Sequence, residues 1–282
     1  MSLPKPYTPF SVDELSNIIQ KDAKRICLFS CYREHGSAIE INTQIYVKEL
    51  SKEFDQVIFL TNDDKPILPK DAAQINATIV PIPNHLWDIG MCFRVLGNLD
   101  IASGKYDRIA LVNDSCIVLK PLTDIFKYAK DHSFGFWGIS DSYEIAHHLQ
   151  TYFVVFEGNN NNSNKVMETL ASFVKQVMDD LVGMQNVKQN VIQKVEIGMS
   201  QYFINNQIQL DAIYKYNDVS QTKTIISEQP VCPNPTYCFW DRMLEKGCPI
   251  IKKSRMHFAN ERLFIEKFTE FDSSNFKKNK IL

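Results

Sequence analysis

The sequence predicts an α/β fold in which one mixed, mostly parallel sheet is flanked by helices, and three observations predict it. Ile109, Ala110, Leu111 and Val112 form a continuous apolar run, the pattern of a strand covered on both faces. Earlier, the strand-like Arg25–Ser30 is followed by Ile41, Ile45, Tyr46 and Leu50 on one helical face, then by the strand-like Gln56–Asn62, which makes a βαβ unit and parallel pairing. The 282 residues fall within the range of one large α/β domain.

The composition narrows the function classes. Hydrophobic residues at 44% and charged residues at 23% are ordinary globular values, and a net charge of -2 gives no electrostatic reason to expect a nucleic acid partner. Any bound phosphate must therefore be held locally. The seven cysteines (27, 31, 92, 116, 232, 238 and 248) are scattered, with no CxxC pair and no zinc-type spacing, so reduced thiols in a cytoplasmic protein are expected. No apolar stretch approaches the ~20 residues needed to cross a bilayer, and MSLPKPYTPF does not read as a signal peptide. A soluble protein that touches a membrane surface only through its substrate is the expectation.

In chain order, Ser11-Val12-Asp13-Glu14 before Leu15, Ile18 and Ile19 has the form of a capping box opening a short helix. The first strand, Arg25–Ser30, opens into the polar loop Cys31-Tyr32-Arg33-Glu34-His35-Gly36-Ser37, a natural place for a nucleotide, with Ser30 and Tyr32 as candidate contacts. The loop is neither GxGxxG nor a P-loop, which argues against a dinucleotide or ATP fingerprint. Ala77–Pro81 reads as a third short strand. In the helix that follows, Asp88 and Arg94 are candidates for a sugar or phosphate contact, and Gly90 offers close backbone approach or a positive φ. The alternative is that Asp88 caps the helix and Arg94 lies on its exposed face.

The stretch Asp107–Phe156 organises the rest. The apolar strand stops at Asn113-Asp114-Ser115, and a carboxylate at a strand end is well placed to hold a divalent metal bridging nucleotide phosphates. Asp114 is thus the anchor candidate with Asn113 beside it, although the same three residues also have the composition of a plain turn. Pro121–Lys130 reads as an amphipathic helix and Phe134–Ile139 as a strand. Gly138–Glu144 reads as a loop presenting two carboxylates. Adjacent His147 and His148 point in different directions on any regular element, which argues against a paired metal site. Gln150–Phe156 reads as a buried strand beside the Asp114 strand, and Gly158–Asn164 as a polar linker.

Val166, Leu170, Phe173, Val174 and Val177 have helical spacing, as does Val187–Val195; Glu196 then begins the helix that carries Tyr202 and Phe203. Ala212–Asn217 is expected as an edge strand. Pro230–Pro235 breaks regular structure, Trp240, Met243 and Leu244 share a helical face, and Ile250–His257 is basic, facing either a diphosphate or solvent.

Taken in order, several blocks resemble the rhamnan synthesis protein F family. They are the Tyr32–Asn62 loop, helix and strand, Asn84 with Asp88 and Gly90, Leu111 with Asn113-Asp114-Ser115-Cys116, Phe136–Phe153 with its DSYE and HLQ, and Asn234–Lys252. The resemblance implies a GT-A-like, Rossmann-type glycosyltransferase domain over residues 1–282. Its nucleotide-sugar-binding half would be about 1–120 and its acceptor-binding half about 121–282. It implies a dTDP-, UDP- or GDP-sugar donor, a glycan acceptor, and L-rhamnose from dTDP as the transferred sugar. Asn113-Asp114-Ser115 would stand at the DxD position with a single carboxylate. Asp114 would then ligate Mn²⁺ or Mg²⁺ with His257, or the Lys252-Lys253 segment would substitute for the ion, with Arg94 and Lys252 helping at the diphosphate. For an inverting reaction the general base would be Asp141 first and Glu196 second. The rival implied reading is a non-catalytic carbohydrate-binding or scaffold protein. A nucleotidyltransferase would want a Gly- and basic-rich loop near the start, which the sequence lacks.

Overall fold

The structure is a computed structural model describing residues 9–34, 36–63, 76–83, 86–158, 163–183, 188–220 and 233–271. Asn84, His35, Asn159–Asn162, Val187 and Pro230–Cys232 lie outside the described residues.

Helix α1 (Val12–Ile18) opens on the expected capping box, with Ser11 and Glu14 each accepting from the other's backbone N–H. It leads into β1 (Arg25–Cys31), α2 (Ile41–Leu50), β2 (Gln56–Thr61), β3 (Thr78–Pro81) and α3 (Trp87–Leu96). Then come β4 (Arg108–Asn113), β5 (Cys116–Val118), α4 (Thr123–Asp131), β6 (Phe136–Ser142), β7 (His148–Leu149), β8 (Phe153–Glu157) and α5 (Ser163–Gly183). The last part holds α6 (Lys188–Val191), a π-helical turn (Ile192–Ile197), α7 (Gly198–Asn205), β9 (Leu210–Tyr214), α8 (Tyr216–Ser220), α9 (Pro235–Cys238), α10 (Trp240–Glu245), β10 (Ile250–Lys252) and α11 (Ala259–Ile265).

Eight strands form the main sheet in the order β3-β2-β1-β4-β8-β6, with β7 and β9 also paired to β6. The pairs β1–β2, β1–β4, β2–β3 and β6–β9 are parallel, and only β8 and its short continuation β7 run against the rest. The fold class expected from sequence is therefore the one observed. β10 and β5 make a separate antiparallel pair.

Period-2 alternation explains why the central strands are apolar throughout. Ile26, Leu28, Ile109, Leu111, Phe136 and Phe156 pack one face against residues of α3, α5 and α7. Cys27, Phe29, Ala110, Val112, Trp137 and Phe153 pack the other against α2, α4 and α10. Each large apolar side chain taken fully out of water contributes about 1.5–3 kcal/mol, so a sheet covered on both sides supplies most of the driving force. Where the sheet must hold charge, it pairs it. Arg108 grips Glu157 with Nε 2.9 and 3.0 Å from the two carboxylate oxygens, and Trp137 Nε1 donates to the same carboxylate at 3.2 Å.

Element boundaries differ from expectation at β6, β8 and β9, and Glu196 lies inside a π-helical turn instead of beginning a helix. The strand expected to end at Ile139 continues to Ser142, so Ser140-Asp141-Ser142 is strand and not loop. These polar residues are buried because each finds a partner: Ser140 Oγ meets Tyr152 Oη at 2.9 Å, Ser142 Oγ donates to the Pro233 carbonyl at 3.0 Å, and Asp141 is bonded twice. The strand expected over Gln150–Phe156 is interrupted, since Gln150–Tyr152 bulges between β7 and β8; β8 is, as expected, the neighbour of β4. The edge strand β9 ends at Tyr214, and Tyr216 already starts a helix.

Cys27, Cys31, Cys92, Cys116 and Cys248 are free and buried, and burial is the largest cause raising all five thiol pKa values. Cys238 is disulfide-bonded, against the expectation of reduced thiols throughout, and its partner lies outside the described residues. Among the described residues, no helix is long and apolar enough to cross a membrane.

Candidate active site

The strand order reverses between β1 and β4: the chain runs outward from β1 to β3, then returns to β1's other side. Open α/β sheets bind ligands beyond the carboxyl ends of strands at such a switch point. Here a cavity of about 400 Å³ opens there, lined by Ser30 at the end of β1 and Asn113 at the end of β4.

The residues after β4 form a turn organised by Asn113, whose Oδ1 accepts from both the backbone N–H and the hydroxyl of Ser115. This alternation sends Asn113 and Ser115 to the cavity wall, whereas Asp114 is not part of that wall. Its carboxylate accepts from Cys31 Sγ at 3.2 Å and pairs with Lys253 Nζ at 3.3 Å. β10 lies antiparallel to β5 with Lys252 opposite Cys116, and this register carries Lys252 into the cavity beside the turn. There its Nζ donates to Ser115 Oγ at 2.8 Å and stands 4.2 Å above the centre of the Tyr152 ring.

The opposite wall comes from α3. The chain enters this helix through two consecutive left-handed residues, Leu86 at φ 63 and Trp87 at φ 55. Such backbone in non-glycine residues is uncommon and clusters at functional sites. It sets half-buried Asp88 in the first helical turn, 3.3 Å from the Asn113 amide, where the carboxylate does not cap the helix. Burial, then the nearby Asp114 and Glu196 carboxylates, push the Asp88 pKa up to about 7, with Lys252 and Lys188 pulling the other way. Gly90 is buried inside the same helix without a positive φ, one of the two roles expected of it.

Glu196 lines the cavity from the π-helical turn, a rare local structure frequent at functional sites, and accepts from Thr151 Oγ1 at 2.7 Å. The outer rim holds Glu144, His148, Gln150, Asn234 and Tyr237. Asn234 Nδ2 reaches Gln150 Oε1 at 3.2 Å and Glu144 Oε2 at 3.5 Å. His148 is locked: Nδ1 donates to the Ala146 carbonyl at 2.8 Å, so Nε2 accepts from Gln150 at 3.0 Å.

Of the residues singled out from sequence, the structure therefore gathers Ser30, Asp88, Asn113, Glu196 and Lys252 around one cavity, which Tyr32, Gly90, Arg94, Asp114, Asp141 and His257 do not line. Tyr32 is exposed. Arg94 lies near the other end of α3, where its carbonyl accepts from Phe10 and its charge acts on Glu14. Asp141 is buried in β6, with one oxygen accepting from Tyr216 N at 2.6 Å and the other 3.0 Å from His147 Nε2. His257 is exposed at the end of a short 3-10 segment.

These placements do not fit an ion held by Asp114 and His257. An ammonium already stands against the Asp114 carboxylate, and among the described residues no three His, Cys, Asp or Glu side chains converge as a metal site.

Sequence reasoning missed Ser115, Glu144, His148, Asn234, Tyr237 and Lys188 as wall residues. Glu144 was within reach, since the Gly138–Glu144 stretch was read as presenting two carboxylates. The strand continuation decides which of them faces the cavity. Nothing local marks Lys188.

Residues 87–281 match the family model described as rhamnan synthesis protein F, which spans Asp88 to Lys252 and hence most of the wall. The chain belongs to this family. The virulence protein VirA of Vibrio anguillarum is 23% identical to this rhamnan synthesis protein F member over 255 residues, covering 83% of this chain and 79% of VirA. Among solved structures, the glycosyltransferase GlyE of Streptococcus pneumoniae TIGR4 aligns with TM-score 0.42 at 11% identity, over 90% of this chain and 62% of GlyE. A 4-diphosphocytidyl-2C-methyl-D-erythritol synthase of Anaerococcus prevotii DSM 20548 aligns with TM-score 0.36 at 10% identity, over 73% of this chain and 92% of that one.

Proposed function

We propose that the switch-point cavity transfers a sugar from a nucleotide-diphosphate donor to a glycan acceptor, as one step in polysaccharide or glycoconjugate assembly. The observation that carries this reading is the division of charge within the cavity. Lys252 and Lys188 stand among Asp88, Glu144 and Glu196 around a cavity at the ends of β1 and β4, a place that suits a nucleotide. Glycosyl transfer separates a cationic sugar from an anionic leaving diphosphate, so it needs both signs in one pocket. Family membership supports the class, and L-rhamnose from a dTDP donor is the pairing we propose within it.

In this reading Lys252, Ser115 and Asn113 hold the diphosphate beside the β4 end. Asp88 faces the sugar; since its proton is half lost near pH 7, it supplies negative charge as the oxocarbenium ion forms. Glu196, aimed by the Thr151 hydroxyl, is the general base that takes the acceptor hydroxyl proton. Asp141, committed to His147 and Tyr216, positions the 143–148 loop without touching substrate. The acceptor enters over Glu144, Asn234 and Tyr237. In the same reading the reaction runs in the cytoplasm, in contact with a membrane surface where the acceptor is lipid-borne.

The pairing of Asp114 with Lys253 favours one second reading, a carbohydrate-binding or scaffold protein that binds without turnover. Incubation of the purified chain with dTDP-, UDP- and GDP-sugars, following released nucleoside diphosphate, separates the two. Turnover that falls in Glu196→Gln supports transfer. Binding with no release supports the scaffold, and no binding of any nucleotide sugar defeats both.

A further inference from the structure

We infer that this site neutralises its diphosphate with the Lys252 ammonium, and not with a divalent ion held at the strand-end acid; the inference rests on the glycosyltransferase reading above. The turn after β4 and the strand β10 divide the work between adjacent lysines. Lys253 N donates to the Ser115 carbonyl at 2.9 Å, which fixes β10 against the turn. Successive side chains on an extended segment point opposite ways. Lys253 accordingly goes to the far side of the turn, where Nζ sits 3.3 Å from Asp114 and 2.9 Å from Glu40. Lys252 goes to the cavity side, onto Ser115 Oγ.

The consequence is an exchange of roles. The acid placed where a metal-holding carboxylate would stand is already matched by a cation, the Lys253 ammonium that it shares with Glu40. Mn²⁺ or Mg²⁺ binding there would have to expel that ammonium and then find several oxygen ligands. At the turn itself the neighbouring polar groups are engaged. Asn113 Oδ1 is already committed to Ser115, and Asp88 takes the Asn113 amide. Lys252, by contrast, presents three donors, of which one holds Ser115, and the Tyr152 ring beneath fixes where the charge stands. A diphosphate oxygen that reaches this ammonium meets a positive charge at the β4 end without any ion. Lys188, across the cavity, supplies a second.

The test is calorimetric titration of the full chain with UDP, dTDP and GDP, each with EDTA and with MnCl₂, and with MnCl₂ alone. The expected result is that the preferred diphosphate binds in EDTA with a Kd within about threefold of its value in Mn²⁺. Lys252→Met should weaken that Kd by about tenfold or more, close to 1.4 kcal/mol, while Lys252→Arg keeps most of it. Thermal melting of each variant establishes that it folds. Binding that needs Mn²⁺ and is lost in Asp114→Asn, with Lys252→Met unaffected, would overturn the inference and leave the glycosyltransferase reading standing. Failure of all three diphosphates to bind in either buffer would overturn that reading as well.

Discussion

The Asn113 amide donates to the Asp88 carboxylate across 3.3 Å, and by this contact the end of β4 is joined to the first turn of α3. Lys252, Ser115, Asn113 and Asp88 thereby form one hydrogen-bonded chain across the cavity floor, with a cation at one end and a carboxylate at the other. Networks of this kind polarise along their length, so altering one member is felt at the next.

Asp88 should make both activity and stability depend on pH near neutrality. Its folded-state pKa of about 7 lies above the unfolded carboxylate value, so the folded state binds the proton more tightly. Stability from this group is full below the unfolded pKa and is lost as pH rises towards 7. Asp88→Asn should match wild type near pH 4 and exceed it at pH 8 by about 1–2 kcal/mol, allowing for solvent at a half-buried side chain. Chemical denaturation at the two pH values measures this. The inflection near pH 7 in the wild-type turnover profile should vanish in the variant.

Glu196 and Asp141 should separate cleanly. Glu196→Gln removes the proposed base and should lower turnover by about 10²–10⁴-fold with the melting temperature nearly unchanged. Asp141→Asn weakens the acceptor for Tyr216 N and the partner of His147, so it should cost about 1–3 kcal/mol of stability and change turnover only several-fold. The opposite pattern would return the base to Asp141.

Gly158→Ala tests the packing at the end of β8. A Cβ there would stand 2.2 Å from the Tyr106 carbonyl oxygen, which is backbone and cannot swing away. The expected loss is about 1–3 kcal/mol by urea denaturation, with Kd for nucleoside diphosphate preserved because Gly158 lies outside the cavity wall.

The sheet was readable because its strands are apolar on both faces, as Ile109–Val112 shows, and because α1 and α5 carry plain helical signals. Ser30, Asp88, Asn113, Glu196 and Lys252, which line the cavity, could be singled out because they are polar residues at the edges of apolar elements. Asp114 and Asp141 lie off the cavity wall for one reason. An acid beside a strand end has two sides to choose from, and only tertiary partners decide: Lys253 for Asp114, Tyr216 for Asp141. Those partners lie 139 and 75 residues away in the chain, where local pattern carries no information about them. Lys188 and Tyr237 join the wall for similarly long-range reasons.

The most direct measurement is a crystal structure of the chain with its preferred nucleotide sugar or nucleoside diphosphate bound. The expected result is the pyrophosphate within hydrogen-bonding distance of Lys252 Nζ and the Ser115 hydroxyl, with the sugar between Asp88 and Glu196. A pyrophosphate lodged elsewhere on the molecule, or one bridged by a metal to Asp114 with Lys253 displaced, would contradict it.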